Sequence, residues 1–210
     1  MSGVSGARLQ TILSLRSAWF TIGNSDVLRR DVTGDGRPDL WVTNSVGQLY
    51  RLAGTSTGDF TAARVNTPAA GYSKFSAGGD LLGNGTSTVL ATRTGTSERA
   101  CFRANSLGLG TPTKIAGSWT GWSALVGVGD QTSDGIGDFA GLSPAGALTL
   151  FVGNGTCGGY TRSIVLRTGI TSINHVVGVG DADRDGRADV VLRNSSTGVG
   201  WLYRLSGDGR

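Results

Sequence analysis

The sequence is poor in charged residues, in proline and in long apolar runs, and each shortage excludes a class of protein. Charged residues make up only 16% of the 210 residues, well below the usual quarter. No apolar run approaches the roughly 18 residues of a membrane span, so we expect no membrane-spanning segment. Glycine is abundant, with 36 residues against 4 prolines and no triplet repeat. This composition excludes collagen and indicates many tight turns between short strands.

Side chains suited to catalysis are also scarce. The chain has one histidine, His175, and one glutamate, Glu98. It contains no P-loop. The patterns G-x-S-x-G, at residues 54–58, and G-x-G-x-x-G, at residues 153–158, each occur once, but no predicted helix follows either of them, as a nucleophile elbow or a dinucleotide-binding motif requires. We therefore expect that the protein is not an enzyme. The net charge is +4, but the arginines are spread along the chain rather than clustered, so we expect no nucleic-acid partner.

Two cysteines, Cys101 and Cys157, are present. Neither belongs to a C-x-x-C pair, which argues against a zinc site. Two interpretations stay open. The cysteines are either unrelated thiols or one disulfide between neighbouring repeats, and a disulfide would suit an exported protein.

An internal repeat of about fifty residues organises the chain. The segments DVTGDGRPD, DLLGNGTST, DQTSDGIGD and DADRDGRAD begin at residues 31, 80, 130 and 181, spaced 49, 50 and 51 residues apart. A run of small residues and valine precedes the last three of them, in FSAGGD, LVGVGD and VVGVGD. Short strands rich in β-branched and aromatic residues follow. A four-stranded unit repeated at this period is typical of a β-propeller blade.

These strands predict an all-β fold with one domain over residues 1–210, a β-propeller of four four-stranded blades. The last unit stops after its third strand, whereas the N-terminal segment 7–16 resembles the fourth strand of a unit. We expect this segment to complete the last blade, which would remove an exposed sheet edge. A piece of a larger ring, or two copies that form one eight-bladed ring, is the alternative.

The repeated loops have the oxygen spacing of a calcium site, which reads D-x-D-x-D-G-x-x-D in the fourth copy. Calcium takes six to eight hard oxygen ligands, here the side chains at positions 1, 3, 5 and 9 and the backbone carbonyl at position 7. The four loops hold 11 of the 14 aspartates, whereas an ordinary acidic surface would mix aspartate and glutamate. Asp-Gly turns without a metal are the alternative.

The predicted calcium ligands are Asp31, Thr33, Asp35, Arg37 and Asp39 in the first loop, Asp130, Thr132, Asp134, Ile136 and Asp138 in the third, and Asp181, Asp183, Asp185, Arg187 and Asp189 in the fourth. The second loop has leucine at position 3 and predicts a weak or absent site formed by Asp80, Asn84, Thr86 and Thr88. We therefore expect about three calcium ions, with affinity following the number of carboxylates in each loop.

These loops and strands resemble the FG-GAP, or VCBS-type, repeats of integrin-like β-propellers, and the resemblance covers essentially the whole chain. It implies calcium in the loop between the first and second strands of a blade, and recognition outside the cell or at its surface. Most rings of this family have seven blades, so four units leave the ring size open. The arginine-rich, lysine-poor composition looks like that of a secreted bacterial protein, in which such repeats accompany hydrolases or act as lectin-like modules.

Aromatic side chains in the connections before the innermost strands predict a ligand surface, formed by Trp19, Tyr72, Trp119 and Trp122. Such rings stack on sugar faces, although packing between blades is the alternative. We therefore expect recognition of a glycan or cell-surface polymer. The alternative partner is a protein, bound by an adhesion domain or by the targeting domain of a secreted hydrolase. Bound calcium would add positive charge and favour an anionic partner.

Overall fold

The computed structural model describes residues 32–33, 35–37, 39–44, 48–65, 69–123 and 125–205. Within these residues the chain forms fifteen strands in four antiparallel sheets and no helix, which confirms the all-β prediction. It follows that the described part contains no helix able to cross a membrane. The segment 7–16, expected to close the ring, lies outside the described residues.

The four sheets follow one another along the chain. Sheet 1 contains β1 (Leu40–Thr43), β2 (Leu49–Gly54) and β3 (Phe60–Arg64). Sheet 2 contains β4 (Tyr72–Gly79), β5 (Thr88–Arg93), β6 (Arg99–Asn105), β7 (Gly108–Leu109) and β8 (Thr113–Lys114). Sheet 3 contains β9 (Val126–Gly129), β10 (Asp138–Leu142), β11 (Leu148–Gly153) and β12 (Tyr160–Arg167), and sheet 4 contains β13 (Ile173–Gly180), β14 (Asp189–Asn194) and β15 (Gly200–Tyr203). Sheet 3 is the predicted four-stranded unit. In sheet 2 the outermost position is divided between β7 and β8, which both pair with β6.

Equivalent turns in the sheets use glycine for the same reason. Gly95, Gly146 and Gly198 lie between the second and third strands of sheets 2, 3 and 4, with φ of 76°, 75° and 72°. Residues with a Cβ atom rarely adopt this conformation, so glycine closes each hairpin without strain. The high glycine content therefore reflects repeated turns, as the composition predicts.

The apolar core lies between consecutive sheets. Representative pairs are Leu49 and Phe102 between sheets 1 and 2, Leu90 and Phe139 between sheets 2 and 3, and Leu150 and Val190 between sheets 3 and 4. Sheet 3 is covered on both faces, and every residue of β10 and β11 is buried. This explains why their sequences, DFAGL and LTLFVG, do not alternate between apolar and polar residues.

The two cysteines form a disulfide between neighbouring repeats. Cys101 lies in β6 and Cys157 follows β11, with Cα atoms 5.4 Å apart and a sequence separation of 56 residues. The bond therefore joins sheet 2 to sheet 3. Of the two interpretations that the sequence leaves open, the disulfide is the one that the structure shows.

The first strands of sheets 2, 3 and 4 approach one another through glycine. A Cβ atom on Gly127 of β9 would lie 2.2 Å from the carbonyl oxygen of Gly78 in β4, and one on Gly178 of β13 would lie 2.5 Å from the carbonyl oxygen of Gly127. No side chain fits at such distances, so glycine is required where the backbones meet. The three strands each lead into an aspartate loop.

Candidate metal centre

The fourth loop brings three carboxylates together. Oxygen atoms of Asp181, Asp183 and Asp189 lie within 4.8 Å of one another. Each calcium–oxygen bond is about 2.3–2.6 Å long, so one ion can contact all three side chains. The group contains positions 1, 3 and 9 of the loop. Three of the four predicted carboxylate ligands of this loop are therefore adjacent.

The carboxylate at position 1 organises the loop backbone around itself. Asp181 accepts the N–H groups of Asp185 at 3.0 Å and Gly186 at 2.9 Å. Asp130 accepts the corresponding N–H groups of its own loop at 3.2 and 2.7 Å. The glycine at position 6 makes the turn, with φ of 90° at Gly186. Because a carboxylate has about four lone-pair sites, these bonds leave room for a metal.

The carboxylate at position 9 links the loop to the end of the third strand. Asp138 is fully buried and accepts the N–H groups of Gln131 at 2.8 Å and Gly153 at 2.9 Å. Asp189, also fully buried, makes the equivalent bonds to Ala182 at 3.0 Å and Leu205 at 3.3 Å. Position 9 therefore has a structural role that the sequence pattern did not reveal.

The same arrangement recurs in the first loop. There Asp39 accepts the N–H groups of Val32 at 2.9 Å and Gly54 at 3.1 Å. Thr33 at position 3 also donates its N–H to Asp39, at 2.9 Å. Asp31, the predicted ligand at position 1, lies outside the described residues.

Burial of position 9 makes its ionised form unfavourable without a nearby cation. Burial raises the pKa of Asp138 to about 6, although the two backbone hydrogen bonds act in the opposite direction. Burial also raises the pKa of Asp189. A cation in the loop would favour the ionised carboxylates, because opposite charge offsets lost hydration.

Position 5 has a different role from positions 1, 3 and 9. Asp185 is not one of the three adjacent carboxylates. Its Oδ1 accepts the Arg187 N–H at 2.8 Å, and Asp134 accepts the Ile136 N–H at 2.9 Å in the same way. Metal ligation by position 5, and by the carbonyl at position 7, stays a prediction.

The third loop contains a buried polar atom that has no hydrogen-bond partner in the described part of the chain. The Oγ1 atom of Thr132, at position 3, is buried and has no hydrogen-bond partner within the described residues. A buried hydroxyl without a partner is unfavourable, so such an atom calls for an explanation. Ligation of a cation together with Asp130 and Asp138 would satisfy it. Among the described residues, only Asp181, Asp183 and Asp189 form a group of three close acidic side chains, so a metal site in the third loop stays a prediction.

The second loop has the same backbone fold with a single carboxylate, that of Asp80. Asp80 accepts the N–H groups of Asn84 at 3.2 Å and Gly85 at 2.8 Å. Position 3 is Leu82, and Thr88 at position 9 donates its hydroxyl to the Gly79 carbonyl at 2.7 Å. The loop fold therefore does not depend on the full set of carboxylates. Weak or absent binding here stays a prediction.

Neighbouring loops contact one another at one end of the sheets. The Gly137 N–H donates to the Asp80 carbonyl at 2.8 Å, which joins loops two and three. The side chain of Gln131 donates to the Ala188 carbonyl at 2.9 Å, and Arg187 donates to the Gln131 carbonyl at 2.9 Å. In the sequence, the only sign that Gln131 links two loops is its polarity, because position 2 of the other three loops is apolar.

An arginine already contacts the acidic group of the fourth loop. Arg204 Nε lies 3.0 Å from Asp183 Oδ2, and the arginine side chain is 71% exposed. A metal ion at this loop would compete with the guanidinium for the same carboxylate.

The aromatic residues predicted to bind sugars are only partly available. Trp119 is 3% exposed, and its ring packs against Phe151 with centroids 5.0 Å apart. No ring face remains for a sugar, so that prediction is wrong for Trp119, and packing between sheets is correct. Tyr72 and Trp122 are half-buried, while Trp19 lies outside the described residues.

Comparison with known proteins adds no assignment. No protein-family model matches the chain, and no curated protein is significantly similar to it in sequence. The functional argument therefore depends on the chain's own residues.

Proposed function

We propose that the protein is a calcium-stabilised β-propeller of the FG-GAP or VCBS type that recognises an anionic glycan or cell-surface polymer outside the cell. The observation that carries the metal assignment is the group of Asp181, Asp183 and Asp189, whose oxygens lie within 4.8 Å of one another. The unpartnered hydroxyl of Thr132 supports a second site in the third loop.

Calcium is the metal that suits these ligands best. All the side-chain donors are hard oxygens, and most of them belong to irregular loops, although Asp138 and Asp189 are the first residues of β10 and β14. Calcium accepts variable oxygen geometry, whereas magnesium requires a near-ideal octahedron and keeps several waters. We propose that the fourth loop binds calcium most tightly, followed by the first and third loops. When bound, the ion would neutralise the carboxylates and hold positions 1, 3 and 9 together.

A propeller arrangement is supported by the way the sheets succeed one another. Each sheet packs its face on the next, and the first strands β4, β9 and β13 meet through Gly78, Gly127 and Gly178. Blades around a central axis would have these contacts. At the last sheet, Trp201 and Leu202 of β15 are each 45% exposed although they point to opposite faces. An outer neighbour for this edge strand, the segment 7–16, would cover it.

Paired cysteines test ring closure and ring size together. Leu202→Cys would be combined in turn with Leu9→Cys, Thr11→Cys and Leu13→Cys in a background that lacks the native cysteines. A closed four-bladed monomer gives an intramolecular cross-link in at least one pair. Cross-links that form only between chains would support the larger ring, and no cross-link in any pair would count against closure by this segment.

The recognition function is supported by charge and by the disulfide. Three bound calcium ions would add about six positive charges to a chain whose formal charge is +4, so an anionic partner is favoured. The Cys101–Cys157 disulfide suits an oxidising compartment outside the cytoplasm. A glycan array probed in calcium, in chelator and at high salt would test the recognition of an anionic glycan. Hits confined to acidic glycans in calcium support the proposal, and an array without hits contradicts it.

Calcium titration of the chelator-treated protein tests the metal assignment directly. We expect binding heat for about three ions, and at 100-fold excess over Kd a stabilisation of about 2.7 kcal/mol per site. For a chain of this size each kcal/mol raises Tm by about 2–4 °C. The variant Asp181→Asn with Asp183→Asn should lose the tightest site only. Unchanged Tm and no binding heat in the unmodified protein would overturn the assignment.

A further inference from the structure

The chain contains two Asn–Gly pairs in the same local sequence. Asn84 and Asn154 each stand in a segment that reads Gly-Asn-Gly-Thr, at residues 83–86 and 153–156, and both side chains are exposed. Asparagine before glycine is prone to lose its side-chain amide, because glycine has no Cβ to hinder attack by its own nitrogen. Since the sequence neighbours are the same, a large difference in reactivity between the two sites must come from the fold.

The reaction needs only the two residues of the pair and water. The glycine backbone nitrogen loses its proton and attacks the side-chain carbonyl carbon of asparagine, which closes a ring and places negative charge on Oδ1. The bond to Nδ2 then breaks, and that nitrogen takes up the proton and leaves as ammonia. Water opens the resulting succinimide at either carbonyl group and yields aspartate or isoaspartate. Nothing is oxidised or reduced, and the sum exchanges an amide for a carboxyl group.

The attacking nitrogen is held at one site and available at the other. The Gly85 N–H donates to Asp80 Oδ2 at 2.8 Å. This bond retains the proton that must leave, and the carboxylate opposes negative charge on the nitrogen beside it. Among the described residues, none accepts a hydrogen bond from the Gly155 N–H. The nucleophile at the second pair is therefore free to react.

The amide under attack is also activated more strongly at Asn154. Its Oδ1 accepts two hydrogen bonds from Thr156, one from the backbone N–H at 3.1 Å and one from the hydroxyl at 2.6 Å. Negative charge develops on this oxygen during the reaction, so both donors favour the transition state, as in an oxyanion hole. Asn84 Oδ1 accepts the Thr86 N–H at 3.0 Å. Within the described residues, the hydroxyl of Thr86 makes no hydrogen bond to it.

The turn that contains Asn154 lies beside the second and third aspartate loops. A Cβ atom on Gly155 would lie 3.7 Å from the Ile136 side chain and 3.9 Å from the Leu82 carbonyl oxygen. The turn leads directly into Cys157, which the disulfide holds to sheet 2. A carboxylate formed at residue 154 would therefore add negative charge at the end of the sheets that carries the loops.

We propose that Asn154 is a self-modifying site, where Gly155 attacks the side-chain amide, Thr156 stabilises the oxyanion, and water completes conversion to a carboxylate. The matching pair at Asn84 is protected by Asp80. This modification depends neither on the metal nor on the recognition function proposed above. It removes one unit of positive net charge and, where isoaspartate forms, lengthens the main chain of the turn by one carbon.

The two sites can be compared within one molecule. The intact protein is incubated at mildly alkaline pH, digested at acidic pH and mapped by mass spectrometry, with isoaspartyl methyltransferase as a second readout. In guanidinium chloride the contacts of the fold are lost, so both sites should react at similar rates. In the folded protein we expect Asn154 to react at least about tenfold faster than Asn84, because one hydrogen bond to a carboxylate is worth about that factor.

Two results would overturn the proposal. One is a rate at Asn84 that equals or exceeds the rate at Asn154 in the folded protein. The other is an unmodified Asn154 in the folded protein after the denatured chain has reacted.

A pair of substitutions tests the role of the threonine hydroxyl. Thr156→Val removes the hydroxyl and keeps the backbone N–H, so the reaction at Asn154 should slow about threefold to tenfold. The matched control Thr86→Val removes a hydroxyl that does not contact Asn84, and the rate at Asn84 should stay unchanged. Thermal unfolding checks that both variants are folded. An unchanged rate at Asn154 in Thr156→Val would overturn the oxyanion role of Thr156.

Discussion

The backbone of Gly127 lies directly against the carbonyl of Gly78, so that a Cβ atom at Gly127 would be 2.2 Å from that oxygen. The two glycines belong to the first strands of consecutive sheets. Their contact is one of the closest between repeats, and it explains the small residues that precede the second, third and fourth aspartate loops.

Gly127→Ala should therefore destabilise the protein strongly. The neighbouring atom is rigid backbone, so β9 must move away from β4, at a cost of about 2 kcal/mol or more. Urea unfolding measures the change. Gly110→Ala is the matched control, because a Cβ atom there makes an ordinary contact with the Arg103 carbonyl oxygen at 3.6 Å. Equal effects of the two substitutions would contradict the importance of the close contact.

Loss of the disulfide should lower stability by about 2–4 kcal/mol, because a link across 56 residues restricts the unfolded chain. The double variant Cys101→Ala with Cys157→Ala and the reduced wild-type protein should both unfold at lower denaturant concentration. Reductant should have no effect on the double variant. A wild-type protein that is equally stable with and without reductant would show that the link contributes little.

The carboxylates at positions 9 and 5 of the third loop should differ in their effect on the metal-free protein. Asp138→Ala leaves the N–H groups of Gln131 and Gly153 without their acceptor in a buried site, which costs about 1–3 kcal/mol for each group. Asp134→Ala removes an exposed side chain and should cost less than about 1 kcal/mol. Both are measured in chelator by thermal unfolding. Equal losses would mean that position 9 has no separate structural role.

Arg204→Gln should strengthen calcium binding at the fourth loop. The substitution removes the guanidinium that contacts Asp183 at 3.0 Å, so the metal no longer competes with it. Because the arginine is largely exposed, the gain should be only about two- to fivefold in Kd. Isothermal titration of both proteins checks this, with Arg162→Gln as the charge control. An unchanged or weaker affinity in Arg204→Gln alone would contradict competition.

The contribution of His175 to folding stability should decrease as the pH falls below the ordinary pKa of histidine. Burial, Arg193 and Lys74 lower the pKa of His175 in the folded protein. The unfolded chain therefore binds its proton at a higher pH, and stability is lost as the pH falls from about 6.5 towards the folded pKa. Thermal unfolding of the wild type and of His175→Gln between pH 7.5 and pH 5 isolates this contribution. Parallel curves for the two proteins would exclude it.

The repeat was the most predictable feature of this chain. The four loops stand out in sequence because carboxylates and glycine recur at fixed spacing, and the apolar runs around them identify strands. Glycine at position 6 was predictable for a physical reason, since Gly186 adopts a φ of 90°. The proximity of Asp181, Asp183 and Asp189 was predictable for the same reason, because the loop is short and its contacts are local.

Tertiary structure alone decided the features that depend on contact between repeats. The pairing of Cys101 with Cys157 and the burial of Trp119 follow from how sheet 3 lies on sheet 2, and no local pattern encodes that distance. The second role of Asp138 likewise depends on the end of a strand fifteen residues away. The sequence determined the strands and loops through local conformational preference, and three-dimensional packing determined which of their side chains meet.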